Sequence, residues 1–243
     1  MSEISSHAAL DAASRLRKAA KIERLVRECG QASISGRMLE VGAGSGFISK
    51  YFGTRYRDVL RVDAVDVADQ RVASEGFDFR VYDGHGLPFA SGAFDLVVSN
   101  HVIEHVGSRE MQQAHLQEMA RVLAPGGLIY LAAPSKWQFV EPHFRLAGLS
   151  WIPRSMRDGY VRLVGKGDRY DCNPMGHRDL ERMAERSGLR CRNLNAPAFR
   201  AMCEGSDSAA GRWLRRIPAA WLEAAYRVSP TMVFLLSHDA DHS

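Results

Sequence analysis

The 243-residue sequence predicts one α/β domain in which helices cover both faces of a doubly wound, mostly parallel sheet. Short apolar runs of strand length alternate along the chain with amphipathic segments of helix length, which is the pattern of a parallel sheet wrapped by helices. In addition, a glycine-rich stretch at residues 42–46 directly follows the first apolar run, where a strand must turn sharply into a helix.

Composition narrows the class of protein. The chain is 46% hydrophobic and 25% charged, as in ordinary globular proteins. Its 32 basic and 28 acidic residues give a net charge of only +4, so we expect no nucleic-acid partner. No apolar run approaches the ~20 residues that cross a bilayer, and no apolar secretion signal opens the sequence. We therefore expect a cytoplasmic protein, and four cysteines without a C-x-x-C pair predict no zinc knuckle.

The first predicted helix covers residues 8–29 and ends at Gly30. One face of this helix is basic, and the sequence leaves open whether that face is only solvated or attracts an anionic surface or substrate. The seven predicted strands cover residues 37–41, 59–66, 77–82, 94–99, 128–133, 189–196 and 231–237, and further helices run from Gly46 to about Phe52 and over 108–123 and 178–187.

The alternation of strands and helices divides the domain into parts. Residues 1–34 form a helical cap, residues 35–135 a cofactor-binding core, and residues 179–243 the C-terminal part of the sheet. The alternation stops in residues 134–178, which are rich in Trp, His, Pro and Gly and predict an irregular lid or substrate-binding insertion after the fifth strand. A basic, Trp-containing stretch, residues 208–228, predicts an amphipathic helix at the sheet edge, with peripheral membrane contact as the alternative.

The glycine-rich loop, with the preceding acid, reads Glu40-Val41-Gly42-Ala43-Gly44-Ser45-Gly46. Dinucleotide-binding loops favour G-x-G-x-x-G, in which the helix N-terminus faces a pyrophosphate. Here the glycines alternate, and a carboxylate at Glu40 would repel a pyrophosphate but attract a sulfonium or an amino group. The loop therefore favours an aminoacyl-sulfonium cofactor over NAD.

Three further positions extend this site. Asp66 lies 20 residues after Gly46 at the end of the second strand, followed by Val67, where a carboxylate can accept hydrogen bonds from a ribose diol. Asp63 is the competing acid, on the opposite face of the strand. After the third strand, Asp83 is placed to bind an exocyclic amine and Gly84 to free the next N–H for a ring nitrogen, with a polar surface turn as the alternative.

The end of the fourth strand reads Ser99-Asn100-His101-Val102-Ile103-Glu104-His105. In doubly wound sheets ligands bind beyond the carboxyl ends of the strands, so Asn100 and His101 should face the cofactor. The string also matches H-x-x-E-H, an inverted zinc-protease motif that requires both histidines on one continuous helix. Because His101 falls at the junction of strand and helix, we predict no metal site.

These strings together resemble the class I S-adenosylmethionine-dependent methyltransferases. The resemblance covers residues 35–135, which look most similar to the core of ubiquinone-biosynthesis and related small-molecule methyltransferases. It implies a Rossmann-like fold and S-adenosylmethionine as cofactor. The matching strings are Leu39–Gly46, Val65-Asp66, Asp83 with Leu87-Pro88-Phe89, Phe94–Val98, Val102–Val106 and Arg121–Gly127.

The resemblance also implies roles for the site residues. Glu40, Gly42, Ala43, Gly44 and Gly46 would lie along the methionine part, Asp66 would hold the ribose, Asp83 the adenine amino group with Gly84 beside it, and Asn100 would border the methionine end. Some ubiquinone-pathway members carry an acid where this chain has His101 and are thought to hold a metal nearby. His101 argues against that metal here.

The sequence thus predicts an enzyme that transfers a methyl group from S-adenosylmethionine to a small-molecule acceptor, at oxygen, by in-line displacement. A hydroxyl acceptor must lose its proton, for which His101, His105 and His143 are candidate catalytic residues. His143, His177 and Trp137 are candidate substrate contacts in or beside the lid. The alternatives are a methyltransferase acting on RNA or protein and a binding protein without activity. The absence of an Asn/Asp-Pro-Pro-aromatic motif disfavours the former, and the intact Asp66 and Asp83 disfavour the latter.

Overall fold

The structure is a computed structural model that describes residues 2–31, 33–137, 140–141, 146–147, 149, 152, 154–165, 172–204, 213, 216–224 and 229–239. Its helices are α1 (Ser2–Gly30), α2 (Phe47–Arg55), α3 (Arg109–Val122), α4 (Arg154–Leu163), α5 (His177–Arg186), α6 (Asn195–Glu204) and α7 (Ala219–Ala224). Its strands are β1 (Gly36–Val41), β2 (Leu60–Asp66), β3 (Asp78–Val81), β4 (Phe94–Asn100), β5 (Leu123–Pro134), β6 (Val140–Glu141), β7 (Leu146–Ala147), β8 (Leu189–Asn193) and β9 (Thr231–His238).

Seven strands form one sheet in the order β3-β2-β1-β4-β5-β9-β8. The first five run parallel, whereas β9 is antiparallel to both of its neighbours. The sequence prediction of a seven-stranded, mostly parallel α/β fold is confirmed. The inner strands β2 and β4 are apolar and buried along most of their length, and each reaches a half-buried polar residue only at its carboxyl end, Asp66 and Asn100. The sheet therefore presents its polar side chains at that edge.

Each face of the sheet has its own hydrophobic core. Residues of α1, α2 and α6 pack on one face around Ile22, Phe52 and Tyr130. Residues of α3 and α5 pack on the other face around Phe94, Leu116 and Phe234. Between β4 and α3 the chain makes a single 3-10 turn, Ile103–His105. This short turn sits at the carboxyl end of β4, so its side chains lie close to the polar edge of the sheet.

The fold differs from the sequence prediction on the C-terminal side. The strand predicted for 189–196 is wrong at its end, because β8 stops at Asn193 and α6 begins at Asn195. The Asn195 side chain bonds to β9 instead, accepting from Val233 N at 2.7 Å and donating to Thr231 O at 3.0 Å. Pro197, the third residue of α6, lacks the N–H that a strand would need and fits a first helical turn.

The segment predicted to be irregular contains regular structure where it is described. β6 and β7 pair as an antiparallel two-stranded sheet, and α4 follows with Val161 buried against Leu149. In the stretch 208–228 the described residues are 213 and 216–224, which include α7, and Trp213 and Trp221 are 67% and 72% exposed. No helix in the described ranges is both long enough and apolar enough for a bilayer crossing.

Candidate functional site

A cavity of about 950 Å³ opens at the carboxyl ends of β1, β2 and β4. This volume lies within the range of pockets that bind small molecules and cofactors. Its lining residues come from the glycine loop, the ends of β2, β3 and β4, the 3-10 turn and helices α1 and α3. They are Arg15, Lys18, Gly42, Gly44, Asp66, Val67, Gln70, Tyr82, Asp83, Gly84, His85, Asn100, His101, Val102, His105, Val106 and Met111.

The glycine loop follows β1 and forms one wall of the cavity. Gly42, Gly44 and Gly46 all have positive φ angles, which side-chain-bearing residues adopt at a cost. A Cβ on Gly42 would lie 2.3 Å from Val102, whereas a Cβ on Gly44 would meet no atom within 4 Å. Gly42 is therefore required by packing, and Gly44 leaves open space on the cavity side.

Asp66 closes the second side of the cavity. Its Oδ2 accepts a hydrogen bond from Gly44 N at 2.8 Å and its Oδ1 from Val67 N at 2.7 Å. Asp63, three residues earlier, is buried and binds Arg37 at 2.8 Å instead. The structure thus places Asp66 and not Asp63 at the cavity, as the strand position predicts.

The loop after β3 supplies Asp83 and Gly84 opposite Val67. Asp83 is exposed and accepts a hydrogen bond from His85 N at 2.9 Å, which lowers the pKa of the Asp83 carboxyl. Tyr82 beside it is partly buried, and burial together with the negative charges of Asp66 and Asp83 raises its pKa to about 12. The Asp83 carboxylate is therefore ionised at neutral pH next to a neutral phenol.

Asn100 and His101 end β4 at the back of the cavity. The buried Nδ2 of Asn100 has no hydrogen-bond partner within the described ranges. His101 has a positive φ of 60°, and Gln31 is the only other non-glycine residue with a positive φ in the described part of the chain. Non-glycine residues in this conformation are uncommon and concentrate at functional sites.

Of the three histidines that line the cavity, His101 and His105 have different neighbours at Nδ1. His101 Nδ1 lies 3.4 Å from the carboxylate of Glu104, which is buried in the 3-10 turn. His105 Nδ1 lies 3.7 Å from the thiol of Cys172. No group of three or more His, Cys, Asp or Glu side chains among the described residues is arranged to hold a metal ion.

Some predicted residues sit near the cavity without lining it. Glu40 is buried, and its carboxylate accepts hydrogen bonds from the Ser49 hydroxyl and from Ser49 N, the latter at 2.9 Å. Burial raises the pKa of Glu40 to about 7, against the opposing effect of Ser49. Ala43 is buried within the loop, and Gly46 caps the start of α2. These residues shape the loop and the helix that follows it.

The structure does not bring His177 and Trp137 to the cofactor cavity. They line a separate cavity of about 450 Å³ with Lys136 and Arg182. His177 is 2% exposed, and its Nε2 lies 3.1 Å from Asn195 Nδ2, so the ring is held against α6. His143 lies outside the described residues.

Arg15 and Lys18 are cavity residues that the sequence did not assign. They are three positions apart on α1 and therefore share a face of the helix. The sequence showed only that α1 has a basic face, and the packing of α1 against α2 decides which of its cations reach the cavity. Their positive charge is close to Asp66 and to the polar end of β4, where an anionic group of a ligand would be accommodated.

Comparisons with known proteins agree with this geometry. Residues 39–131 match the family described as a methyltransferase domain. The chain is 29% identical over 133 residues to a ubiquinone biosynthesis O-methyltransferase of Parvibaculum lavamentivorans, covering 50% of this chain and 51% of that protein. It is 30% identical over 161 residues to the biotin biosynthesis bifunctional protein BioHC of Cellvibrio japonicus, covering 64% of this chain and 28% of that protein. The chain thus spans about half or less of the length of these two relatives.

A solved structure shares the fold at lower sequence identity. It is a phosphoethanolamine N-methyltransferase of Haemonchus contortus in complex with phosphomonomethylethanolamine and S-adenosylhomocysteine. The TM-score is 0.54 at 17% identity, and the alignment covers 90% of this chain and 52% of that one. At this identity the likeness concerns the fold.

Proposed function

Because the core of this chain belongs to the class I S-adenosylmethionine-dependent methyltransferases, we propose that it transfers a methyl group from S-adenosylmethionine to the hydroxyl oxygen of a small-molecule acceptor. The observation that supports this proposal most is the cavity at the carboxyl ends of β1, β2 and β4. It joins an open glycine loop, the Asp66 carboxyl group and an Asn100 amide nitrogen that has no hydrogen-bond partner among the described residues.

These groups fit the parts of the cofactor. In our proposal Asp66 accepts hydrogen bonds from the ribose hydroxyls, and Asp83 accepts one from the adenine amino group. Asn100 donates its free N–H to the methionine end, whose carboxylate is attracted by Arg15 and Lys18. When bound, S-adenosylmethionine supplies an electrophilic methyl group on a sulfonium, so the protein needs to supply alignment and a dry pocket.

The acceptor side of the cavity carries groups suited to removing a proton. A hydroxyl becomes a good nucleophile when a neighbouring base takes its proton as the new bond forms. His101, His105, Val106 and Met111 line this part of the cavity, combining two bases with two apolar side chains. The apolar side chains exclude water and favour an organic acceptor, and the relatives named as O-methyltransferases are consistent with oxygen as the atom methylated.

Calorimetric titration with S-adenosylhomocysteine tests the proposal without knowledge of the acceptor. We expect the wild-type protein to bind S-adenosylhomocysteine in the micromolar range and to bind NAD at least ~100-fold more weakly, since its alternating glycines lack the G-x-G-x-x-G spacing of a pyrophosphate-binding loop. Absence of S-adenosylhomocysteine binding, or equal binding of NAD, would contradict the proposal. Methyl uptake from labelled cofactor into a panel of phenols, sugars and acids then identifies the acceptor class.

A further inference from the structure

Glu104 is a buried carboxylate with no hydrogen-bond donor. It is 1% exposed, and neither Oε1 nor Oε2 has a hydrogen-bond partner in the described part of the chain. Burying a charge without partners is costly, and such groups in folded proteins commonly have a functional reason. Glu104 also belongs to the turn beside the cavity, so its surroundings bear on the chemistry there.

The one ionisable group recorded at ion-pair distance from Glu104 among the described residues is the imidazole of His101. His101 Nδ1 lies 3.4 Å from Glu104 Oε1, and 31% of the His101 side chain is exposed. Because Nδ1 lies on the Glu104 side of the ring, Nε2 is the nitrogen left for the cavity that His101 lines. The imidazole thus connects the buried carboxyl group of Glu104 with the ligand space.

Both members of this pair are held by backbone hydrogen bonds. His101 keeps its left-handed conformation while its N–H donates to Ala132 O at 2.7 Å. Two hydrogen bonds hold the 3-10 turn in place. Glu104 O accepts one from Asn173 N at 2.7 Å, and Ile103 O accepts the other from Gln112 Nε2 at 2.8 Å. A strained residue retained by such contacts is typical of a site whose geometry must be exact to within fractions of an ångström.

His105 provides an internal comparison. It also lines the cavity, but its Nδ1 faces the Cys172 thiol at 3.7 Å. A carboxylate fixes the proton on Nδ1 of its histidine and stabilises the imidazolium that forms when Nε2 takes a second proton. Through this contact the Cys172 thiol provides much less of either effect, because a thiol is only a weak hydrogen-bond partner.

We propose that Glu104 is the positioning residue for His101 and that His101 is the base that accepts the proton of a hydroxyl acceptor. This inference rests on the proposed function. The acceptor O–H bond breaks as its proton moves to His101 Nε2, and the electron pair stays on the oxygen. The oxygen bonds to the methyl carbon while the bond between that carbon and the sulfonium sulfur breaks, and its electron pair goes to the sulfur, so that S-adenosylhomocysteine is the leaving group. Nδ1 keeps its proton towards Glu104, and the imidazolium returns the second proton to water after product leaves.

Long-range ¹H–¹⁵N NMR of the histidine rings in the labelled full-length protein tests this arrangement. The His101 signals are assigned as those missing from His101→Gln. In the wild type we expect the neutral ring to carry its proton on Nδ1, with Nε2 unprotonated. In Glu104→Leu, which replaces the unpartnered carboxylate by an apolar group of similar size, we expect the proton to move predominantly to Nε2. Cys172→Ala is the matched control and should leave the His101 signals in the wild-type state.

Several outcomes would overturn the inference. The first is a wild-type His101 ring that carries its proton on Nε2, and the second is a Glu104→Leu protein in which His101 keeps its proton on Nδ1. The third is a shift of the His101 signals on adding magnesium chloride alone, which would mean that Glu104 serves a metal. The wild-type spectrum decides the first point even if Glu104→Leu does not fold. Titration with S-adenosylhomocysteine separates this test from that of the proposed function, because cofactor binding does not depend on which ring nitrogen is protonated.

Discussion

The carboxyl-end edge of the sheet and the body of the sheet use the same residue types for different purposes. Asp63 and Asp66 belong to one strand, three positions apart. In the body, Asp63 is buried and bound to Arg37, with the guanidinium 2.8 Å away. At the edge, Asp66 is half-buried and faces the cavity, and within the described part of the chain it accepts hydrogen bonds only from the backbone N–H groups of Gly44 and Val67.

Glu40 and Asn100 show the same difference between the body of the sheet and its carboxyl-end edge. Glu40, one residue short of the end of β1, is committed to Ser49 and so to the start of α2. Asn100, the last residue of β4, has a buried amide nitrogen with no partner among the described residues. Asp63 and Glu40 in the body are thus bound to other side chains of the fold, whereas Asp66 and Asn100 at the edge retain capacity for a ligand. Substitutions in the two regions should therefore affect different quantities.

The largest expected effect is on the two aspartates of β2. Asp66→Ala should weaken S-adenosylhomocysteine binding at least ~100-fold, because two hydrogen bonds to a charged acceptor contribute about 3 kcal/mol or more. Its free energy of unfolding should fall by only about 1 kcal/mol, since the backbone N–H groups that it binds are near solvent. Calorimetry and urea unfolding measure both quantities.

Asp63→Ala is the matched variant in the body of the sheet. It leaves the Arg37 guanidinium without its partner, which should lower the free energy of unfolding by about 2 kcal/mol, since 40% of the Arg37 side chain is exposed and water can solvate the freed charge. The affinity of the folded protein for S-adenosylhomocysteine should stay within about threefold of wild type, since Asp63 does not line the cavity. If Asp63→Ala lost binding as severely as Asp66→Ala, the division between edge and body would be incorrect.

The edge of the sheet was predictable from sequence because local rules determine it. A strand places Asp63 and Asp66 on opposite faces whatever surrounds them, and only a glycine accommodates the φ angle of +79° at position 42 next to Val102. Spacing along the chain therefore predicted that Gly42, Gly44, Asp66, Asp83 and Asn100 would meet in one cavity. Their roles toward the cofactor remain predictions that the variants above test.

Long-range packing was not predictable in the same way. The sequence showed a basic helix, but the packing of α1 on α2, α6 and β5 decides that Arg15 and Lys18 line the cavity. Glu40 lies in a string that resembles a cofactor site, yet its carboxylate accepts a hydrogen bond from Ser49 N on the following helix. Within α4, Val161 is buried against Leu149 while Met156 and Leu163 are exposed, and this choice depends on long-range packing.

The next largest expected effect is on the pH dependence of the free energy of unfolding, to which two buried ionisable side chains contribute. Burial lowers the pKa of His115 from 6.5 to about 4 and raises that of Glu40 from 4.5 to about 7. The stability contributed by neutral His115 is full above pH 6.5 and is lost as pH falls through 4. That of protonated Glu40 is full below pH 4.5 and is lost as pH rises through 7. Each of these two contributions to the free energy of unfolding is on the order of 3 kcal/mol. Between pH 4.5 and 6.5 they change in opposite directions with pH, so in the wild type they largely cancel.

Removing either group should expose the slope of the other. Relative to wild type, we expect His115→Gln to be more stable at pH 4.5 than at pH 7, and Glu40→Gln to be more stable at pH 7.5 than at pH 4.5. Urea unfolding at these pH values measures the differences. Two variants that change in the same direction with pH would show that at least one of these side chains does not retain its buried environment in solution.

The smallest expected effect distinguishes two glycines with the same backbone requirement. Gly44 and Gly126 have φ angles of +51° and +77°, and a Cβ on either would meet no atom within 4 Å. Alanine at each position should therefore lower the free energy of unfolding by a similar amount, about 1–2 kcal/mol, because the left-handed conformation is unfavourable for a residue with a Cβ. Urea unfolding measures this loss. Only Gly44 faces the cavity, so Gly44→Ala should weaken S-adenosylhomocysteine binding about 10-fold, the equivalent of about 1.4 kcal/mol. Gly126→Ala should bind as wild type does, and equal affinities for the two variants would mean that the bound ligand does not approach the glycine loop closely enough to sense a methyl group.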